Sequence, residues 1–128
     1  MVVGRRQGDL SAQLVARDHE VISGLNTNQG GGNEGQDPHE LLESSLAACT
    51  ILTMQLYANK KNWDLRTSEV VVRIVSEDQE GTKMNRDIKL FGELSAEQRQ
   101  RILEIAGHCP IHRLLSGTVK IETRLFEN

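Results

Sequence analysis

The chain has 128 residues, 38% of them hydrophobic and only 3% aromatic, and a formal net charge of −3. That length suits a single domain over residues 1–128 with an aliphatic core, and so small a core gains from a partner subunit. The negative balance argues against a nucleic-acid surface, no apolar run approaches the roughly 20 residues of a membrane span, and Arg5-Arg6 precede no apolar stretch of the kind that makes a secretory signal. A cytoplasmic protein is expected, in which two cysteines are reduced, catalytic or buried rather than a permanent staple.

Along the chain, Leu10 to Ala16 alternates apolar and polar and predicts a strand. Arg17-Asp18 can turn it into a second strand, His19 to Gly24, and the glycine-rich stretch from Asn26 to Gln36 reads as a loop without a phosphate-binding fingerprint. Asp37, Pro38 and Glu40 then form a strong helix start: cap, first position and the acidic partner of a capping box. Leu42, Ser45, Leu46, Cys49, Leu52 and Leu56 follow at the spacing of one helical face. With few charges between Ser44 and Ala58, this helix is expected to run to about Lys60 and to be buried on most sides. Asp64 to Ser76 and Lys83 to Phe91 read as a strand pair around the polar turn Glu77 to Thr82, with Met84, Ile88 and Leu90 on one face of the return strand. Ser95 and Gln98 open a short amphipathic helix that Gly107 ends, and His108-Cys109-Pro110 opens another. Val119, Ile121, Thr123 and Leu125 alternate as a final strand. Strands and helices in this order make an α+β fold.

Two cysteines hold most of the chemical interest. Cys49 lies on the apolar stripe of the long helix, where it is either a small core residue or a thiolate that needs a nearby cation or donor. Cys109 precedes Pro110 at a helix start, where free N–H groups favour a thiolate, and His112 and Arg113 lie one turn on. Cys109, His108, His112 and His39 are a further conceivable zinc set, but only one Cys-x-x-His pair is present and the adjacent His108 and Cys109 point apart, so no metal is expected. Tyr57 and Trp63 read as packing residues. No Gly-x-Ser-x-Gly elbow supports a serine hydrolase.

Two segments together resemble the OsmC/organic hydroperoxide resistance family. They are Pro38-His39-Glu40-Leu41-Leu42-Glu43-Ser44-Ser45-Leu46-Ala47-Ala48-Cys49-Thr50 and Cys109-Pro110-Ile111-His112-Arg113-Leu114-Leu115. Tyr57-Ala58-x-x-Lys61-x-Trp63 and Leu94-Ser95-x-Glu97-Gln98 are similar to the same pattern, so the likeness extends from about Gly30 to the C-terminus. The resemblance implies an α+β fold in which a curved antiparallel sheet encloses the long central helix, in an intertwined homodimer with sites at its interface. It implies that Cys49 attacks an organic hydroperoxide, becoming a sulfenic acid, that Cys109 resolves it to a disulfide, and that a dithiol restores both, without a cofactor. It also implies a glutamate ten residues before the first cysteine, paired with an arginine of an early loop. Here that position is His39, followed by Glu40, which on a helix is turned by about 100°. The candidate activating or orienting groups are therefore His39, Glu40, Arg17, Arg113 and His112. The alternative is a non-catalytic dimer of the same fold that binds a small hydrophobic or sulfur-containing ligand at its interface.

Overall fold

The computed structural model describes residues 1–126. Its elements are β1 (Val3–Arg6), β2 (Ser11–Ala16), β3 (His19–Gly24), a single 3-10 turn (Thr27–Gln29), α1 (Pro38–Lys61), β4 (Thr67–Asp78), β5 (Gly81–Phe91), α2 (Ala96–Ala106) and α3 (Pro110–Ser116). The chain divides into two compact units: Met1–Ser45 with Val72–Asn85, and Leu46–Val71 with the chain from Arg86 onward.

In the first unit β1, β2 and β3 form an antiparallel sheet, in register Val3↔Val15 and Leu14↔Val21. The Arg17-Asp18 turn expected from the sequence joins β2 to β3, with Arg17 left-handed at φ 56°. β1 lies in a segment for which no strand was expected: its four residues are all exposed, so it carries no burial alternation and is held by its main-chain ladder to β2. The glycine-rich loop is laced back to the sheet by Ser11 Oγ donating to Glu34 Oε2 (3.0 Å) and Ser23 Oγ donating to the Gln36 carbonyl (2.8 Å). Gly35 is required there, because a Cβ would collide with the Ile22 carbonyl. The loop delivers the chain to α1 through a complete capping box. The Glu40 N–H donates to Asp37 Oδ1 (2.9 Å) and the Asp37 N–H to Glu40 Oε1 (3.0 Å).

The core of the second unit is built on Met54 and Ala58 of α1, Leu65, and Ile102 and Ala106 of α2, with Trp63, Val70, Ile88, Leu90 and Leu94 packed against them. The four buried residues of α1 are Leu46, Thr50, Met54 and Ala58, one residue every four. This corrects the expected face and extent of burial: Leu52 and Leu56 remain 68% and 57% exposed. The small side chains of Thr50 and Ala58 let neighbouring elements approach closely, whereas the leucine side of the helix finds no such cover. α1 is also the one helix among the described residues that is long and apolar enough, by length and composition alone, to cross a membrane, closer to a span than its sequence suggested.

β4 and β5 form a two-stranded sheet. β5 turns Met84, Arg86, Ile88 and Leu90 to its more buried face. α2 starts at the expected Ser95–Gln98 capping box and ends at Gly107. The expected last strand is absent: residues 117–126 have no regular structure, and Ile121 and Leu125 are 83% and 84% exposed. Alternation makes a strand only where a sheet edge accepts it.

Met54 and Ile102 have no exposed surface. Met54→Ala should lower the unfolding free energy by about 2–5 kcal/mol. A urea titration checks this, and an unchanged midpoint would contradict the assignment of the core.

Candidate active site

The end of α2 positions the second cysteine. The His108 and Cys109 N–H groups still donate to the Ile105 and Ala106 carbonyls, so Cys109 is held at the edge of the preceding helix. Pro110 then occupies the first position of α3, where its missing N–H costs nothing. Cys109 is the N-cap: its Sγ accepts the His112 N–H at 3.2 Å. The residue is fully buried.

Cys49 lies on α1 and is half-buried. Burial pushes its thiol up, but four influences outweigh that and hold it below its ordinary value: the Ile111 N–H, the Cys109 thiol, the Thr53 hydroxyl and the charge of Arg86. Thr53 Oγ1 is 3.9 Å from the sulfur. Both cysteines are free, and the Cys109 thiol and the Ile111 N–H lie near enough to Cys49 to favour its thiolate.

Arg86 completes the cluster. Its Nη1 donates to Thr50 Oγ1 (3.1 Å), whose own hydroxyl donates to the Leu46 carbonyl (2.7 Å), and its Nη2 lies 3.0 Å from His112 Nδ1. A guanidinium has no acceptor, so Nδ1 presents its lone pair and the ring proton is on Nε2. Burial first, and then the charges of Arg86 and His108, hold His112 below the usual imidazole range.

Cys49, Cys109 and His112, three of the residues singled out in the sequence, therefore come together in one unit. Arg113 belongs to the same unit but is exposed. The other three belong to the first unit and have local partners or positions of their own. His39 Nε2 is 2.6 Å from Glu77 Oε1, the Glu40 carboxylate is used in the capping box, and Arg17 is exposed in the β2–β3 turn. Arg86 escaped the sequence reading. Its signal was an arginine on the same alternation as Met84, Ile88 and Leu90. Among the described residues no group of three or more His, Cys, Asp or Glu side chains could hold a metal ion.

The profile of the family described as OsmC-like protein matches residues 30–124, a stretch containing both cysteines. The chain belongs to the OsmC-like family. Solved OsmC-like folds agree. An osmotic stress induced and detoxification response protein from Psychrobacter arcticus superposes with a TM-score of 0.77 at 22% identity, over 88% of this chain and 85% of that one. An OsmC-like protein from Mycoplasma pneumoniae gives 0.75 at 18% identity, over 91% and 86%. An organic hydroperoxide resistance protein from Vibrio cholerae, with captopril bound in one of its active sites, gives 0.66 at 18%, over 91% and 85%. At these identities the likeness is one of fold. A search of curated proteins returned no match.

The depressed Cys49 thiol has a direct consequence. Thiolate, the alkylated species, persists to lower pH than in a free cysteine. The stability it contributes is full above the unfolded thiol value and is lost as pH falls through the folded one. Alkylation of Cys49 by iodoacetamide, followed by peptide mass spectrometry across pH, should show an inflection below the free-thiol value of about 8.5. An inflection at or above that value would refute the electrostatic account of the site.

Proposed function

We propose that this OsmC-like protein is a cysteine-based thiol peroxidase that reduces organic hydroperoxides. The observation that carries this reading is the pairing of a half-buried, thiolate-favouring Cys49 with a sealed Cys109 whose thiol adjoins it. The accessible sulfur meets the substrate and the buried one waits for the product. In the first step the Cys49 thiolate attacks the terminal peroxide oxygen. The O–O bond breaks, Cys49 becomes a sulfenic acid, and the departing alkoxide takes a proton from water to leave as the alcohol. In the second step Cys109 attacks the sulfenic sulfur, a disulfide forms and water leaves. A dithiol reductant then exchanges with the disulfide, becoming oxidised itself and returning both thiols. The names of some related structures, organic hydroperoxide resistance proteins from Legionella pneumophila and Elizabethkingia anophelis among them, support the substrate class.

The working form in this reading is a cytoplasmic homodimer. Its support is the uncovered apolar surface: Leu42, Leu52 and Leu56 along α1, and Val119, Ile121 and Leu125 in the terminal segment. Burial against a second copy would add roughly 25 cal/mol per Å² of apolar area removed from water.

Consumption of cumene hydroperoxide with dithiothreitol as reductant should be abolished in Cys49→Ser. In Cys109→Ser one equivalent of peroxide should leave a sulfenic acid that dimedone traps. Undiminished turnover in Cys49→Ser would exclude the mechanism. Tight retention of a thiol such as captopril by a wild type without turnover would favour the ligand-binding alternative. Light scattering should give a dimer mass, and Leu52→Glu should shift it toward the monomer; a monomeric wild type would exclude the proposed assembly.

A further inference from the structure

We propose that Arg86 is the positioning residue of the thiol site: by bridging Thr50 Oγ1 and His112 Nδ1 it ties the cysteine-bearing turn of α1 to the cysteine-capped start of α3, and keeps His112 neutral with its proton on Nε2. The catalytic part of this inference rests on the peroxidase reading; the structural part does not.

The geometry assigns the role. Thr50 follows Cys49 on α1, and its fully buried hydroxyl has both capacities filled, donating to Leu46 and accepting from Arg86. His112 is the residue whose N–H caps Cys109. One guanidinium fork therefore grips, at 3.1 and 3.0 Å, a neighbour of each sulfur. Its planar, fixed donors suit two acceptors at once, which the single ammonium of a lysine does not reproduce. The charge is permanent, so Arg86 itself carries its cation at every working pH. The titratable and charged groups around it are Cys49 from α1, Cys109 and His112 from the start of α3, and His108 from the preceding turn. A protonated His112 would place a second cation against Arg86 and break its bond to Nδ1. The brace is thus intact where His112 is neutral and opens only as pH falls below the ordinary imidazole range.

Three readouts test this. In wild type, the imidazole nitrogen shifts of His112 at neutral pH should show Nδ1 without a proton. In Arg86→Gln the alkylation inflection of Cys49 should move up toward the free-thiol value, and kcat/KM for cumene hydroperoxide should fall about tenfold or more. In Arg86→Lys the inflection should stay nearer the wild-type position, because the charge survives, while the His112 tautomers become mixed. Lys89→Gln, which removes an exposed cation from the same strand, should leave every readout as in wild type. A wild-type His112 protonated on Nδ1 would overturn the proposal even if Arg86→Gln failed to fold. So would an Arg86→Gln protein with the wild-type inflection and rate. If wild type consumes no hydroperoxide and Arg86→Gln still raises the inflection, the peroxidase reading falls and the positioning role stands.

Discussion

The site depends on the first free N–H groups of α3. Every helix begins with donors that have no intrahelical acceptor. In α3 the proline removes one of them, the His112 N–H donates to Cys109 Sγ at 3.2 Å, and the Ile111 N–H favours the Cys49 thiolate. A thiolate is large and weakly hydrated compared with a carboxylate, so a small number of well-aimed donors suffices to favour it over the thiol. One helix start thus contributes to the environment of both cysteines. In the proposed mechanism the difference in exposure would separate their roles, since a hydroperoxide can approach a half-buried sulfur but not a sealed one.

What keeps that helix start in place is polar rather than apolar. From the Leu46 carbonyl through Thr50, Arg86 and His112, each donor meets an acceptor. Leaving one such buried group without its partner costs about 1–3 kcal/mol, so the chain of bonds penalises any slip of α1 against β5 or α3. An aliphatic stripe alone tolerates such slips better, because dispersion contacts are non-directional. Rotation matters particularly here. Successive residues on a helix are about 100° apart, so fixing Thr50 in one direction fixes where Cys49 points. The apolar contacts of Met54 and Ala58 with α2 supply the bulk of the stabilisation, and the polar chain selects one register within it.

The parts of this fold that were legible in the sequence are those decided by a few adjacent residues. Asp37, Pro38 and Glu40 announced α1, Ser95 and Gln98 announced α2, and Cys109-Pro110 announced α3, because caps are local chemistry. The two long strands were visible in their alternation: β4 is shifted at both ends, while β5 starts earlier than expected and ends at Phe91 as expected. β1 was invisible because Val3-Gly4-Arg5-Arg6 buries nothing, and main-chain pairing leaves no mark on side-chain pattern. The two cysteines were legible as candidates, but Arg86, the cation beside them, was not. Of the candidate partners Arg17, His39, Glu40, His112 and Arg113, His112 lies in the cluster. Glu40 is instead used up in a cap, and His39 is drawn to Glu77. An arginine in a strand ordinarily reads as a solvent-facing residue. The position of Arg86 between Met84 and Ile88 on the inward alternation contradicts that reading. A charge placed where the period demands an apolar residue is the pattern that marks such a group, and long-range contact is what gives it meaning.

The same comparison explains where the sequence promises more than one chain delivers. Leu42, Ser45, Cys49, Leu52 and Leu56 share one helical face with a spacing as regular as that of the stripe the chain buries, yet three of the leucines stay largely open. Val119, Ile121 and Leu125 alternate like a strand but have no edge to join. Isolated exposed apolar residues need no explanation, but two periodic sets do. Each has the period of the element it belongs to, 3.6 for the helix and 2 for the extended segment. In the proposed dimer both would be covered by the second copy, and the open side of α1 that bears Cys49 would face it. The thiolate would then lie at a wall of low polarity formed on assembly. Burial of that kind raises a thiol on its own, and the Arg86 charge together with the Ile111 N–H offsets it. A site that binds an apolar hydroperoxide beside a charged sulfur needs both halves of this balance, so the folding of the pocket and the activation of the nucleophile are the same problem.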